Sequence, residues 1–318
     1  MKNLEARFND WTGKNIREWF GATDSTQDNA DRFIWYRGVS NSLYELKTSF
    51  QRNSVVREMG LNKYYEKMKK RINEIDSNKF LVSDYENFGF AFLQHRGFPS
   101  PLLDWTSYEM IAAQFACHSW IEVEPETDAA IYALNVKSLM DLFNVRYTST
   151  TLVLEDTIYD TTYQGSVKRI PPLKVGPGSI KTLSELNIPV PFQEFEPSYM
   201  SPMWWNEMER TIKDPLIARV APQSGRFIYL PGDESLIKQI RVQCENKGIN
   251  LKDVIRKFPI YAFEREEMKN ILTIQKTGES FGDLINYEDL FPEKKVSKTD
   301  KKLEKLKTHL DKNWLKNF

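Results

Sequence analysis

The stretch that decides the fold reads QHRGFPSPLLDWT and runs from Gln94 to Thr106. A polar pair comes first, followed by Gly97 and Pro99, which are residues that typically end a helix. An acid, Asp104, and the hydroxyl of Thr106 come last, two positions apart. We therefore predict that this segment ends one helix, turns, and begins the next, with polar side chains gathered at the turn.

Helices are predicted on both sides of this turn. The upstream helix runs from Asp84 to His95, with Ser83 or Asp84 as its cap. Downstream, Thr106–Glu109 has a capping-box pattern, in which the threonine hydroxyl bonds an orphan amide and the glutamate reaches back. The following run, Met110–Cys117, is apolar and contains small residues, so the helix it predicts can pack closely on a sheet.

A strand is predicted upstream, where the chain reads DRFIWYR from Asp31 to Arg37. Aromatic and β-branched residues favour a buried strand, and Gly38 is predicted to end it. Arg37 has two interpretations. It is either a fixed guanidinium for a phosphate or carboxylate, which it can bind bidentately, or a strand-end arginine paired with a structural carboxylate.

The other patterns predict alternating strands and helices around a proline-dense loop. Strands are predicted at 129–135, 147–163, 212–220, 226–230 and 255–263, helices at 55–75, 234–246, 264–276 and 300–314, and a long loop at 171–202. We see no repeat and no linker, so the predicted fold class is α+β, with small mixed or antiparallel sheets flanked by helices. The predicted division is a domain at 1–292 and a basic amphipathic C-terminal helix within 293–318.

Composition limits the classes of function. The 318 residues are 41% hydrophobic and 28% charged with a formal net charge of zero, which is typical of a folded chain and gives no strong nucleic-acid signal. No run of about 18 apolar residues predicts a membrane span. Two cysteines, Cys117 and Cys244, and three histidines do not form a zinc pattern, so no metal site is predicted. The low cysteine content favours a cytoplasmic location.

Four segments resemble the FRG domain family. They read FIWYRGVS from Phe33, QHRGFPSPLLDWT from Gln94, AAQFA from Ala112 and RVAPQSGRF from Arg219, and their order and spacing hold to about Phe291. Two departures stand out. Ser100-Pro101 occupies the place where the family usually has Thr-Arg, and a proline precedes Gln223.

The order of parts is also similar to that of ADP-ribosyltransferases. Those enzymes have a strand ending in arginine, then a Ser/Thr-bearing strand that leads into an alanine-rich helix, then a late polar residue beside a strand. The corresponding residues here are Arg37, Thr106 with Ser107, and Gln223. The resemblance implies that Arg37 holds the pyrophosphate of NAD and that Thr106 orients the nicotinamide ribose. The usual late glutamate, which stabilises an oxocarbenium-like state, is replaced by Gln223.

An amide cannot supply negative charge, so further carboxylates are candidates. The catalytic candidates are Asp104, Gln223 and Glu196, although the simpler interpretation of Glu196 is that it belongs to a solvated acidic loop. The candidate ligand-binding residues are Arg37, Gln94, His95, Thr106, Ser107 and Arg219. The resemblance implies NAD as a substrate, and no resident cofactor is assigned.

Three classes of function follow from the sequence. The first is an ADP-ribosyltransferase or NAD glycohydrolase of the bacterial toxin or phage-defence type, as the resemblance implies. The second is a non-catalytic module that binds a nucleotide. The third is an interaction protein, because four apolar residues fall near one face of the terminal helix: Leu303, Leu306, Leu310 and Trp314. That face either docks on its own domain or binds a partner or a second copy.

Overall fold

A six-stranded sheet organises the part of the chain that the computed structural model describes: residues 3–12, 14–20, 34–75, 90, 93–94, 96–117, 126–148, 151–154, 188–192, 225–275, 301 and 305. The strands are β1 (Ile34–Val39), β2 (Leu102–Thr106), β3 (Ala129–Asn135), β4 (Val145–Thr148), β5 (Thr151–Leu154), β6 (Val190–Phe192), β7 (Gly225–Tyr229) and β8 (Ile255–Ile260). The sheet order is β6-β7-β2-β1-β3-β8 with antiparallel pairing throughout, while β4 and β5 pair separately.

Helices cover the sheet. They are α1 (Leu4–Trp11), α2 (Lys14–Trp19), α3 (Ser49–Arg52), α4 (Ser54–Met59), α5 (Leu61–Ile75), α6 (Glu109–Cys117), α7 (Val136–Leu142), α8 (Leu236–Lys247), α9 (Leu251–Val254) and α10 (Arg265–Gln275), with a 3-10 turn at Ala262–Glu264 before α10. None of the described helices is long and apolar enough to cross a membrane.

Two apolar clusters form because successive strand side chains point to opposite faces. On one face, Trp35 and Val39 of β1 join a large cluster that includes residues of α5, α7 and α8. On the other face, Ile34 and Tyr36 join a second cluster with residues of α1, α6 and α10. β1 and β3 are therefore covered on both sides, which explains why Ala129–Asn135 is buried along its whole length.

Gly38 allows α6 to lie directly against β1. A β-carbon at this position would overlap the carbonyl oxygen of Ala112 and lie 2.6 Å from the amide nitrogen of Ala116. Both alanines are fully buried. Small residues on the strand and on the helix thus allow backbone to pack against backbone.

The α+β fold class is confirmed, and several element boundaries need correction. β3 has the predicted bounds, whereas β1 continues through Gly38 to Val39 and does not end at the glycine. The helix predicted at 55–75 is two helices, because Gly60 takes a positive φ of 84° between α4 and α5. The strand that the sequence predicts at 255–263, with a break at Pro259, is the continuous β8. β8 is an edge strand, and an edge strand tolerates a residue without an N–H.

The helix predicted to begin directly after Thr106 begins later. Leu102–Thr106 forms β2, and α6 begins three residues later, at Glu109. The hydroxyl of Thr106 accepts a hydrogen bond from the amide of Tyr108 at 3.2 Å. The reason is tertiary: all five residues of β2 pair with β7, and this pairing overrides the local helix-start signal.

Other predictions fall partly or wholly outside the described residues. Within the loop predicted at 171–202, Val190–Phe192 forms the short strand β6 against β7. β4 and β5 coincide with the start of the strand region predicted at 147–163. The strand predicted at 212–220 lies outside the described residues, as does the terminal helix except for Lys301 and Lys305, which are helical and exposed. The domain boundary at 292 stays a prediction.

Replacing Gly38 with alanine is expected to destabilise the protein strongly. Overpacking typically costs about 1–3 kcal/mol, and we expect the upper end because the atoms in the way belong to a helix backbone. Gly248→Ala is the control, since a β-carbon at position 248 meets open space. Its only expected cost is that of an alanine at positive φ, about 1–2 kcal/mol. Urea unfolding measures both, and a smaller loss for Gly38→Ala than for Gly248→Ala would contradict the close packing.

The two cysteines are expected to be inert in the folded protein. Cys117 and Cys244 are buried in different apolar clusters. Burial raises the pKa of the Cys117 thiol from 9.0 to about 12 and also raises that of Cys244. Because the thiolate is the nucleophile, reactivity falls with the thiolate fraction, which the Cys117 shift alone lowers about 1,000-fold at pH 8. Thiol labelling measures both rates, and rapid labelling of either cysteine in the folded state would contradict the packing on its side.

Candidate functional site

The short contact between β1 and β2 brings Arg37 to Asp104. In the described pairing of these strands, Tyr36 lies opposite Thr106. At the next position of β1, the Arg37 side chain donates a hydrogen bond from Nη1 to the main-chain oxygen of Asp104. Because that oxygen belongs to a strand paired with β7, the guanidinium is held by the sheet itself.

The carboxylate of Asp104 links Arg37 to Gln94. Its Oδ2 atom lies 3.9 Å from Nη1 of Arg37 and accepts a hydrogen bond from Nε2 of Gln94 at 2.8 Å. Gln94 lies in a helical turn, and Gly97, with a φ of 73°, follows it in the connection to β2. The Asp104 side chain is 51% exposed and the Arg37 side chain 19%. We call these three residues the Arg37–Asp104–Gln94 cluster.

The charge of Arg37 is only partly compensated. Burial lowers the pKa of its guanidinium, the charge of Asp104 acts in the opposite direction, and the charge of Arg52 lowers it further. Arginine nevertheless stays protonated in proteins. A partly desolvated cation beside a second cation and one half-exposed carboxylate favours binding of a further anion.

No motif singles out Arg52 as a site residue, although the sequence does contain a signal for the helix that carries it. It ends α3, whose N-terminus has a capping box made by Thr48 and Gln51. The Gln51 side chain also donates to the carbonyls of Gly232 and Glu234, each at 3.0 Å, and so ties α3 to the loop after β7. The pattern Thr48-x-x-Gln51 could have located the helix, but it gives no sign that Arg52 lies near Arg37.

The cluster also contains unused hydrogen-bonding capacity. Nε of Arg37 and Oε1 of Gln94 are shielded from solvent and find no hydrogen-bond partner in the described part of the chain. Since buried polar groups are nearly always paired in native structures, two such atoms within one hydrogen-bonded cluster favour the uptake of a ligand or bound water.

Thr106 and Ser107 follow Asp104 closely in the chain but are not among the three residues of the cluster. Thr106 is 3% exposed, and its hydroxyl accepts from the Tyr108 amide in the turn that leads to α6. Ser107 is half-buried in the same turn. The structure therefore gives Thr106 a part in the β2–α6 connection, and its proposed contact with a ribose stays a prediction.

Four of the predicted site residues fall outside the described residues: His95, Glu196, Arg219 and Gln223. Their roles stay predictions. Of the predicted set, the structure brings Arg37, Gln94 and Asp104 into direct contact. The described residues contain no group of three or more His, Cys, Asp or Glu side chains arranged to hold a metal ion.

Replacing Arg37 is expected to have little effect on folding. Arg37→Met removes one hydrogen bond, worth about 1 kcal/mol net, and also removes a partly desolvated charge. Arg7 of α1 is the matched comparison, because its guanidinium pairs with Glu264, of which only 8% is exposed. Arg7→Met leaves that carboxylate without its cation, and we expect a loss of about 3 kcal/mol. Urea unfolding of both variants is the measurement, and equal losses would make Arg37 a structural arginine.

Comparison with known proteins identifies the segment that carries the cluster. Residues 32–124 match the family model of the FRG domain. No curated protein and no solved structure matches the chain. The matched segment includes β1, β2 and α6 together with Arg37, Gln94 and Asp104. Residues 32–124 are therefore similar to the FRG domain, and the Arg37–Asp104–Gln94 cluster lies within this segment.

Proposed function

We propose that the FRG domain binds a nucleotide of the NAD type at the Arg37–Asp104–Gln94 cluster and acts as an ADP-ribosyltransferase-like enzyme. The observation that carries the proposal is the state of Arg37. Its guanidinium is fixed to the main chain of β2, its charge is only partly compensated, and its Nε atom has no hydrogen-bond partner in the described part of the chain.

A pyrophosphate suits this guanidinium. Arginine presents N–H groups in a planar fork that binds phosphate oxygens, and these charge-assisted hydrogen bonds are stronger than neutral ones. Nη1 is already directed at the Asp104 carbonyl, so the remaining edge of the guanidinium is left for the ligand. Arg52 adds positive potential nearby and strengthens the attraction for an anion.

Asp104 is the group proposed to act on the ribose. Its side chain is half-exposed, and a carboxylate has about four acceptor sites, of which Gln94 uses one. In the proposed reaction the C1′–N bond of NAD breaks and nicotinamide leaves as a neutral molecule with the bonding electron pair. A nucleophile, either water or a target side chain, bonds to C1′ and loses its proton. Negative charge near the ribose stabilises the intervening oxocarbenium-like state.

A non-catalytic nucleotide-sensing module is the second candidate. The observation in its favour is that Asp104 already interacts with both Arg37 and Gln94, an arrangement that orients a carboxylate and offsets its charge. A carboxylate of this kind can position a ligand without promoting chemistry. The two candidates share the binding site and differ only in whether nicotinamide is released.

Binding is tested by titration calorimetry with NAD and ADP-ribose. Arg37→Lys keeps the charge but loses the planar fork, and we expect affinity to fall about 10- to 100-fold, the equivalent of a lost charge-assisted hydrogen bond. Arg256→Lys is the control. Arg256 belongs to the edge strand β8 and lies over the ring of Trp19, outside the Arg37–Asp104–Gln94 cluster. No binding by the wild-type protein, or equal binding by both variants, would contradict the proposal.

Catalysis is tested separately by the release of nicotinamide from NAD. Asp104→Asn is expected to lower turnover about 100- to 1,000-fold, the usual effect of removing a transition-state electrostatic partner, with NAD binding retained. Glu196→Gln and Gln223→Ala test the two other predicted catalytic residues. If the wild-type protein binds NAD but never releases nicotinamide, the sensing module is the function. Toxicity on expression, lost in the Asp104 variant, would support an effector of the toxin or phage-defence type.

A further inference from the structure

The orientation of the Gln94 amide is dictated by Asp104. Nε2 of Gln94 donates to Oδ2 of Asp104 at 2.8 Å. An ionised carboxylate only accepts hydrogen bonds, so the amide has to present its nitrogen to Asp104. The carbonyl oxygen of Gln94 consequently points away from Asp104 and acts only as an acceptor.

That carbonyl oxygen has no donor among the described residues. Oε1 of Gln94 is shielded from solvent without a hydrogen-bond partner in the described chain, and so is Nε of Arg37. The cluster therefore offers an unused acceptor as well as an unused donor. The pyrophosphate of a dinucleotide carries no proton at neutral pH, so it complements Arg37 but not Gln94.

We propose that Gln94 determines specificity by accepting a hydrogen bond from a primary carboxamide, as in the nicotinamide end of NAD, and by excluding a carboxylate in its place. A primary carboxamide carries its donor and its acceptor on different atoms. Its NH2 group can donate to Oε1 of Gln94, whereas a carboxylate has no donor and would place a negative charge against that oxygen. The identity of the nucleotide rests on the proposed function, whereas the selection by Gln94 is a separate property.

Asp104 thereby determines whether Gln94 presents a hydrogen-bond acceptor or a donor to the ligand. If Asp104 is replaced by asparagine, the side chain at 104 can donate to Oε1 of Gln94 or accept from Nε2. The glutamine amide is then free to turn over and to present its N–H groups to the ligand. A protein with Asp104→Asn should consequently accept a carboxylate that the wild-type protein excludes.

The experiment is calorimetry with three ligands: NAD, nicotinic acid adenine dinucleotide, in which a carboxylate replaces the carboxamide, and ADP-ribose, which has neither. We expect the wild-type protein to bind NAD at least about tenfold more tightly than the other two, because a site that hydrogen-bonds a substrate group rejects analogues that leave it unpaired. Asp104→Asn and Gln94→Met should each abolish the preference for NAD over its carboxylate analogue.

Gln239→Met is the matched control, since the amide of Gln239 donates to the carbonyls of Pro231 and Glu234 outside the cluster. It should keep the preference. Equal affinities of the wild-type protein for NAD and its carboxylate analogue overturn the proposal, even where Arg37-dependent binding upholds the proposed function. Equal affinities for NAD and ADP-ribose overturn it as well, because the carboxamide then contributes nothing to binding. Failure to bind any of the three ligands overturns both proposals.

Discussion

The close approach of α6 to β1 at Gly38 is the constraint on which the rest of the structure depends. No side chain separates the strand from the helix, and the alanines of α6 that face it are fully buried. β1 lies in the middle of the sheet, paired with β2 on one side and β3 on the other. Arg37 precedes Gly38 on that strand, so the packing of one residue decides the position of the other. A functional side chain is most accurately placed on such a rigid element.

The balance of charge at the cluster depends on a single half-exposed carboxylate. Asp104 attracts Arg37, accepts from Gln94 and faces solvent, while Arg52 adds a second positive charge. The resemblance to the FRG family places Thr-Arg where this chain has Ser100 and Pro101. Both residues are buried here, with the Ser100 hydroxyl donating to a main-chain oxygen and the Pro101 carbonyl accepting the amide of Leu230 at 2.9 Å. A charged side chain at this position would need a different path to solvent.

Local sequence patterns predict β3 with its observed bounds but do not predict β2 as a strand, and the difference has a physical cause. Ala129–Asn135 is continuously apolar up to its last residue and buried on both faces, so its own composition identifies it. Leu102–Thr106 is short, contains an acid and follows two prolines, and it is a strand because β7 pairs with it. No local pattern reports a partner that lies so far along the chain.

The same reasoning applies to the site. The sequence singled out Arg37, Gln94 and Asp104 because they lie in the motifs that resemble the FRG family. They did not indicate which atoms would meet. The hydrogen bond from Arg37 to a main-chain oxygen, the Gln94 amide held by Asp104, and the nearby charge of Arg52 all depend on how β1, β2 and α3 lie relative to one another. Those relations are tertiary and have no sequence signature.

The order of strands in the sheet also has a consequence for how the protein reaches its native state. β1 finds its neighbours only after β2 and β3 have been synthesised, and the sheet is completed by β7 and β8, which come much later in the chain. Sheets built from such distant pairings close large loops before they gain contacts, and they fold slowly. On the ribosome, β1 and β2 therefore emerge long before β7, which pairs with the other edge of β2. Until β7 has been synthesised, we expect that edge of β2 to be exposed to chaperones and to misassociation.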